Sequence, residues 1–375
     1  MKRLLLINDV NEHTQAMRGV YVKLLGQAKA LSKLGFVVDV LHMSLAQMLI
    51  QQWCDGEQVS SSVVVDDINC RDQSFFLLAR EVVAHCEYDV IFTRYVPMLK
   101  SDDFLRLMIC AGETKAKNVI EFPTMPYDQE HMGNPNGLKN DLRLRKLLQS
   151  HVDGCLTSSM DNDVFGIPAF HFSNKIDVDN FVMSSALYSA KTTEIHMIAV
   201  AMFSFWHGYD RLLEGLAFAS PEIKNRIRLH FVGIGPEKQR LEALAMQWGI
   251  GSHVVFYGML SGAPLDNLYA QCHVGVGALG LHRKHLFSDS SLKHREYCAR
   301  GLPFVRSGDD IDFDQAPFNL LVPGNDLPIN IDKVASFLES LSAERVDYRE
   351  IIRAYALKHL SWEDEFRRLA HVFKR

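Results

Sequence analysis

Lys293 and Glu296 stand three residues apart in the stretch from Ser288 to Val305, Ser-Asp-Ser-Ser-Leu-Lys-His-Arg-Glu-Tyr-Cys-Ala-Arg-Gly-Leu-Pro-Phe-Val. Ser290 or Ser291 is a good N-cap. Leu292 to Arg300 reads as helix, Gly301 as its left-handed cap and Pro303 as a stop, with Phe304-Val305 opening the next strand. The start of such a helix offers unpaired N–H groups and the positive end of a dipole, and both suit phosphate. Lys293 adds a mobile cation one turn away. Glu296 lies on the same side of the helix, where a carboxylate accepts hydrogen bonds from sugar hydroxyls. Cations and backbone amides for a diphosphate, with a carboxylate for ribose, suit a sugar nucleotide. Taken alone, the helix is better explained as an amphipathic helix with a solvated face. The flanking segments shift that balance.

Gly233-Ile-Gly235-Pro236-Glu237 sits between a strand and a helix. Glycine permits close backbone approach, and proline suits a first helical turn. The spacing is neither that of a dinucleotide fingerprint nor that of a P-loop. By itself it reads as a tight turn. His282-Arg283-Lys284-His285 places positive charge after the strand His273 to Ala278; such clusters are usually solvated, and the place at a strand's carboxyl end favours a phosphate contact. Arg18-Gly19 lies at the first strand-to-helix crossing, either a simple helix entry or a point of close approach. Glu121-Phe-Pro-Thr-Met-Pro-Tyr-Asp-Gln-Glu130 follows a strand and brings Thr124, Tyr127, Asp128 and Glu130 to its carboxyl end. A structural loop and a binding loop are equally good readings of it. Gly137 to Leu148 interleaves five leucines with Lys139, Arg143, Arg145 and Lys146. It is either a surface helix or an amphipathic helix resting on anionic lipid.

The elements that must position these residues alternate. Arg3 to Ile7, Phe36 to His42, Val63 to Val65, Asp89 to Thr93, Val119 to Phe122 and Gly154 to Thr157 read as strands. Helices are expected over Val20 to Leu34 and Phe75 to His85. A second series starts near Glu194. Its strands are Ile195 to Ala201, Arg228 to Val232, Val254 to Tyr257 and His273 to Ala278, and its helices include Tyr209 to Ala219 and Leu265 to Tyr269. Such alternation implies open parallel sheets with right-handed crossovers, and ligands beyond the strands' carboxyl ends. With 375 residues there is room for two domains.

Composition excludes other classes. Apolar residues make up 47% and charged residues 23%, as in a soluble globular protein. A net charge of −5 leaves no nucleic-acid footprint. The seven cysteines, Cys54, Cys70, Cys86, Cys110, Cys155, Cys272 and Cys298, are scattered and odd in number. They suggest a reducing compartment and neither a disulfide framework nor a zinc site. Asn8 and Asp9 cut the N-terminal apolar run too short for a signal peptide, and no transmembrane segment is expected.

Together the segments resemble the retaining glycosyltransferases of family 4, the GT-B "group 1" transferases, over nearly the whole chain. Arg18-Gly19 with its helix is similar to the family's glycine loop. Ser173-Asn-Lys-Ile-Asp-Val-Asp-Asn-Phe181 resembles its Asn-Gly-Ile-Asp…Phe segment, and His207-Gly208-Tyr-Asp-Arg-Leu-Leu-Glu214 its Lys-Gly…Leu-Leu helix. Phe231 to Glu237 and Val255-Phe-Tyr-Gly258 match two further signatures. Ser291 to Pro303 looks like the Glu-Tyr-x-Ala-x-Gly-x-Pro segment, and Ser361-Trp362-Glu363 like the helix that crosses back to the first domain. The family's donor-site Arg and Lys fall on Met202 and His207. The first acid of its Glu-x7-Glu pair falls on Ser288, and the glycine of its Asn-Gly segment on Lys175.

The resemblance implies an α/β protein of GT-B class, two doubly wound Rossmann-like domains facing across a cleft. Residues 1–180 would form an acceptor-side domain, with a C-terminal helix from about 355–375 packing back on it, and 181–354 the nucleotide-sugar domain. It implies a glycosyltransferase that moves a sugar, with retention, from a nucleotide-diphosphate sugar to a glycan or lipid-linked acceptor, in surface polysaccharide or glycoconjugate biosynthesis. The donor site would draw on Gly19, His207, Gly233, Gly235, Tyr257, Arg283, Lys284, Ser291, Lys293 and Glu296, with Asp128 or Glu121 near the reacting sugar. Neither cofactor nor metal is expected, and no nucleic acid. A cytoplasmic location is expected, with peripheral contact at the inner face of the membrane through Leu138 to Leu148. The competing reading is a non-catalytic GT-B-like binding or scaffold subunit with a degenerate donor site. A sugar-nucleotide epimerase of GT-B shape is a third.

Overall fold

The computed structural model describes residues 1–71, 74–189, 191–343 and 346–374. The chain divides into two units, Met1–Ser173 with Trp362–Arg375, and Asn174–Ser361.

In the first unit the N-terminal apolar run becomes β1 (Lys2–Asn11), followed by α1 (Arg18–Lys33) and β2 (Phe36–Ser44). β3 (Gln47–Cys54) and β4 (Glu57–Val65) come next, then α2 (Phe75–His85), β5 (Val90–Arg94), α3 (Asp103–Gly112) and β6 (Lys117–Phe122). α4 (Pro135–Leu144), β7 (Gly154–Thr157), β8 (Asp163–Val164) and β9 (Ile167–His171) complete it. The sheet order is β4-β3-β2-β1-β5-β6-β7-β9-β8. β1 pairs in parallel with both β2 and β5, with Ile7 opposite Leu41 and Thr93. The chain thus winds outward from β1 in one direction and returns to continue from β5 in the other. Period-two alternation gives the sheet two apolar faces. Leu4, Leu6, Val90, Phe92 and Val119 pack with Leu24 and Leu31 of α1. Leu5, Ile7, Ile91 and Ile120 pack with Val82 of α2 and Leu107 of α3.

The sheet is not wholly parallel. Val63-Val64-Val65 is the end of β4, which runs antiparallel to β3, itself antiparallel to β2. Asp55 and Gly56 turn this hairpin with φ of 49° and 87°. Two successive left-handed residues give a turn whose twist matches the flanking strands.

The second unit holds β10 (Ile195–Val200), α5 (Tyr209–Phe218), α6 (Pro221–Arg226), β11 (Ile227–Val232), α7 (Lys238–Gln247), β12 (Val254–Phe256) and α8 (Ala263–Tyr269). β13 (Val274–Val276), α9 (Leu292–Ala299), β14 (Phe304–Ser307), β15 (Asn319–Val322), α10 (Ile331–Ala343) and α11 (Tyr348–His359) follow. Its six strands are all parallel, in the order β12-β11-β10-β13-β14-β15. A charged network is sealed beside this core. Arg295, wholly buried on α9, meets Asp310 and Asp312, and Nζ of Lys175 reaches Asp312 at 2.6 Å. His294 Nδ1 lies 3.1 Å from Asp310.

After Ser361 the chain returns to the first unit. α12 (Trp362–Arg368) covers the face of its sheet that α1 also covers, where Phe92 meets Phe366 and Phe373 edge-on at 6.4 and 5.5 Å. Gly26 makes room for it: a Cβ there would stand 2.8 Å from Trp362 Cδ1.

Candidate functional site

Because every strand of the second unit runs the same way, the loops at their carboxyl ends share one edge. These loops are stitched together by main-chain hydrogen bonds. Phe203 N–H donates to the Ile234 carbonyl at 2.6 Å, Gly233 N–H to that of Gly258 at 2.6 Å and Leu279 N–H to that of His207 at 2.8 Å. The glycines follow from this stitching. A Cβ on Gly233 would stand 1.9 Å from the Ala201 carbonyl oxygen, and one on Gly235 2.4 Å from Phe203 backbone atoms. Both lie at positive φ, 131° and 149°. Gly208, at φ 61°, would collide with Gly280 N at 2.7 Å.

His207 is held by this frame. Its Nδ1 accepts the Ser204 N–H at 3.1 Å, so a neutral ring carries its proton on Nε2. Burial, with Lys293 and Lys284 nearby, pushes the imidazole well below its ordinary range, so it is neutral. Lys284 is buried, with its ammonium 4.7 Å from the centre of the Trp206 ring. Lys293 projects from the first turn of α9. Burial pushes its ammonium down to about 8, Asp289 opposing and Lys284 adding to the shift. Among the described residues Lys293 makes no ion pair. Lys284 and Lys293 therefore both stand near enough to the His207 ring to disfavour its charge, Lys293 from the first turn of α9. Ser291 is the N-cap there, but its side chain makes no capping bond. The buried Ser290 hydroxyl instead accepts the Asn174 N–H at 2.7 Å, which fixes the entry to the helix.

The other expected donor-side residues are committed to protein partners. Arg283 forks onto Asp210 at 2.9 and 3.0 Å and reaches Asp326 at 2.7 Å. Although burial works against its charge, these carboxylates raise its pKa further. The Glu296 carboxylate accepts from Arg300 Nε at 3.0 Å, while Arg300 also pairs with Asp266 at 2.8 Å. Burial holds the Glu296 carboxyl above its usual range. Tyr257 is 38% exposed, and its hydroxyl lies 2.9 Å from His230 Nδ1. Behind it His230 Nε2 and His196 Nδ1 are 2.8 Å apart, with the rings stacked. The His196 N–H donates to His273 Nδ1 at 3.1 Å.

In the first unit Gly19 opens α1, and a Cβ there would meet nothing within 4 Å. Glu121 is interior, ion-paired with Lys23 Nζ and accepting from Gln27 Nε2 at 3.1 Å. Burial would raise its carboxyl, but Lys23 and Arg94 outweigh that and lower it. Asp128 is partly exposed and clamped by Arg145 at 2.6 and 3.3 Å. Arg145 is buried against the Phe165 ring at 4.1 Å. It therefore leaves the basic surface that the sequence suggests over Leu138 to Leu148, and the α-helix ends at Leu144. The exposed residues of that stretch include Lys139, Leu142, Arg143, Lys146 and Leu147.

Two residues that the sequence does not single out stand at the same edge of the first unit: Asp9 after the apolar half of β1, and Arg94 closing β5. The signal available was only their charge, late in two strand runs.

No group of three or more metal-ligating side chains occurs among the described residues. Nor is any helix among them long and apolar enough to cross a membrane. The family model for glycosyl transferases group 1 matches residues 187–305. No curated protein matches the sequence. Solved structures share its fold. The catalytic domain of starch synthase IV from Arabidopsis thaliana, bound to ADP and acarbose, superposes with a TM-score of 0.70 at 10% identity, covering 99% of this chain and 98% of that one. Sucrose-phosphate synthase from Thermosynechococcus elongatus gives 0.67 at 15% identity, covering 100% and 98%. Anabaena HepE in complex with UDP-glucose gives 0.63 at 12% identity, covering 99% of each. The fold is GT-B. Both units are Rossmann-like α/β layers, and the strand edge described above belongs to that fold.

Proposed function

We propose that the protein is a glycosyltransferase whose second unit holds a nucleotide-diphosphate sugar. The observation that carries this reading is the nearness of Lys284 and Lys293 to the His207 ring, with Lys293 in the first turn of α9. The structural relatives bound to UDP-glucose and ADP support a donor of this class. Transfer breaks the bond between the anomeric carbon and the diphosphate oxygen, so negative charge grows on the diphosphate. Fixed cations and helix N–H groups stabilise that charge best when they need no rearrangement. The two lysines take the place of the Arg and Lys that the family resemblance leads one to expect at Met202 and His207. His207 adds a neutral donor, and Ser291 and the first turn of α9 add backbone donors. Glu296 receives the ribose hydroxyls, and Tyr257, Gly233 and Gly235 shape the loops around the nucleotide. Arg283 acts through Asp210, holding the loop that carries Lys284. The resemblance implies retention at the anomeric carbon and membership of family 4. The acceptor, a glycan or lipid-linked glycan of surface polysaccharide or glycoconjugate biosynthesis, belongs to the first unit, where Gly19, expected from the resemblance at the donor, instead leaves space, and Asp128 and Glu121, expected near the reacting sugar, hold the surrounding loops.

A thermal-shift screen with UDP, GDP, ADP and CMP tests the reading. At about 100 times its dissociation constant, the preferred nucleotide adds about 2.7 kcal/mol of stability. A hydrogen bond to a charged group contributes about 1.5–3 kcal/mol. Lys293→Ala should therefore weaken nucleoside diphosphate binding at least tenfold while leaving nucleoside binding nearly unchanged. Glu296→Ala should weaken both. No stabilisation by any of the four nucleotides would refute the donor site and favour a scaffold role.

The acceptor side carries a second element of the proposal, peripheral contact with the inner face of the membrane. Lys139, Leu142, Arg143, Lys146 and Leu147 follow an i, i+3, i+4, i+7, i+8 spacing and face outward, with Leu147 49% exposed. Each basic residue near an anionic surface contributes about 1 kcal/mol. Co-sedimentation with phosphatidylglycerol vesicles at low salt should fall at least tenfold when Lys139, Arg143 and Lys146 are changed to Gln. Equal sedimentation of the two proteins would leave the stripe an ordinary solvated face.

A further inference from the structure

Ligands of doubly wound sheets lie beyond the strand ends, where the winding reverses. In the first unit that point is between β1 and β5. Arg94 closes β5 there. Its side chain is only 19% exposed, yet among the described residues it makes no hydrogen bond, and its nearest carboxylate oxygen is Glu121 Oε1 at 3.9 Å. Glu121 is already neutralised by Lys23. Five guanidinium N–H groups so placed are donors in want of an acceptor. Asp9 is half-buried on β1, two residues past Ile7, whose partner across the ladder is Thr93, the residue before Arg94; it feels the Arg94 charge, but no salt bridge joins them. Burial raises the Asp9 carboxyl, and Arg94 opposes that shift. The first turn of α1 is itself open, since a Cβ on Gly19 would meet nothing within 4 Å. Gly19, Lys23 and Gln27 recur every four residues on one side of α1, so the open position sits a turn above the residues that hold Glu121.

The charges of this corner balance: Lys23 and Arg94 against Glu121 and Asp9. It does not call for an anion. Its free hydrogen-bonding capacity is a fork of donors beside a carboxylate acceptor, and vicinal hydroxyls match that pattern, each able to donate to one and accept from the other.

We infer that Asp9 and Arg94 form the acceptor subsite and bind a neutral sugar through adjacent hydroxyl groups. This rests on the glycosyltransferase reading above and adds the class of acceptor and the residues that hold it. Asp9 takes the proton side of one hydroxyl, and Arg94 donates to its neighbour.

Saturation-transfer difference NMR tests this on the full chain. The probes are the methyl glycosides of glucose, galactose, mannose and N-acetylglucosamine, with glucose 6-phosphate as the anionic comparison and UDP, GDP and ADP recorded in parallel. At least one neutral glycoside should give a signal with the wild type that falls at least fivefold in both Asp9→Asn and Arg94→Lys. Nucleotide signals should be unchanged in the same variants, which also shows that they are folded. Absence of every glycoside signal, a signal that survives both substitutions, or binding of the phosphorylated sugar alone would overturn the subsite. Glycoside binding without any nucleotide binding would instead overturn the donor reading and leave this subsite standing.

Discussion

Asp310→Ala should destabilise the second unit by about 3–5 kcal/mol, the usual cost of removing one partner from a buried ion pair. Arg295 is wholly buried, and Asp310 holds it together with Asp312. Burial alone would raise the Asp310 carboxyl, but Arg295 and His294 outweigh that and hold it well below the usual carboxylate range. Truncation leaves the enclosed guanidinium without the Asp310 carboxylate that two of its nitrogens meet. Urea unfolding followed by tryptophan fluorescence measures the loss. The effect extends to the site, because Arg295 lies two residues beyond Lys293 and its Nε also donates to the Asn174 carbonyl at 2.7 Å. Nucleotide affinity should fall with the stability. A change below about 1 kcal/mol would mean that the network relaxes with water rather than acting as a fixed strut.

Acid should weaken the protein earlier than carboxylate titration alone would. His230 and His273 are both buried, and burial, with His196 adding to the effect, pushes each down to about 4 from an ordinary 6.5. An imidazole with a depressed folded pKa resists the proton that the unfolded chain accepts. Above pH 6.5 neither state is protonated, and the histidines cost nothing. As the pH falls from 6.5 towards 4, the unfolded state gains protons and the folded state does not. The limiting slope is about 1.4 kcal/mol per pH unit for each ring, or about 2.7 for both. Denaturation midpoints from pH 7 to 4.5 should show this steep decline, and His230→Gln with His273→Gln should flatten it. An unchanged slope in the double variant would place the acid sensitivity elsewhere.

Much of the fold could be read from the chain because local signals and tertiary outcome agree. The helix that ends at Gly301 and the strand runs of both series are of this kind, and Gly301 does take φ 73°. The apolar pattern does not reveal the hairpin of β3 and β4, although Cys54-Asp-Gly-Glu57 carries a two-residue turn signal. Gln51, Gln52 and the Ser60 to Ser62 run break the apolar alternation, since β4 is exposed along most of its length. Site residues were legible only as types in positions. That Arg283 would be spent on Asp210, Arg145 on Asp128 and Glu121 on Lys23 depends on partners 73, 17 and 98 residues away. Asp9 and Arg94 carry no site signal in the chain for the converse reason: only the folded sheet brings these two residues of adjacent strands to the point where its winding reverses.

The stitched strand-end loops bear on how such chains are to be compared. Gly233 and Gly235 are each dictated by a neighbouring backbone atom within 2.4 Å of where a side chain would begin. A chain of this fold that handled no sugar would still be obliged to keep both. The Gly-x-Gly signature therefore records the architecture of the loops, and its persistence in a relative carries no news about turnover. Residues such as Lys293, which folding does not require to be charged, are where the loss of an activity would first be written.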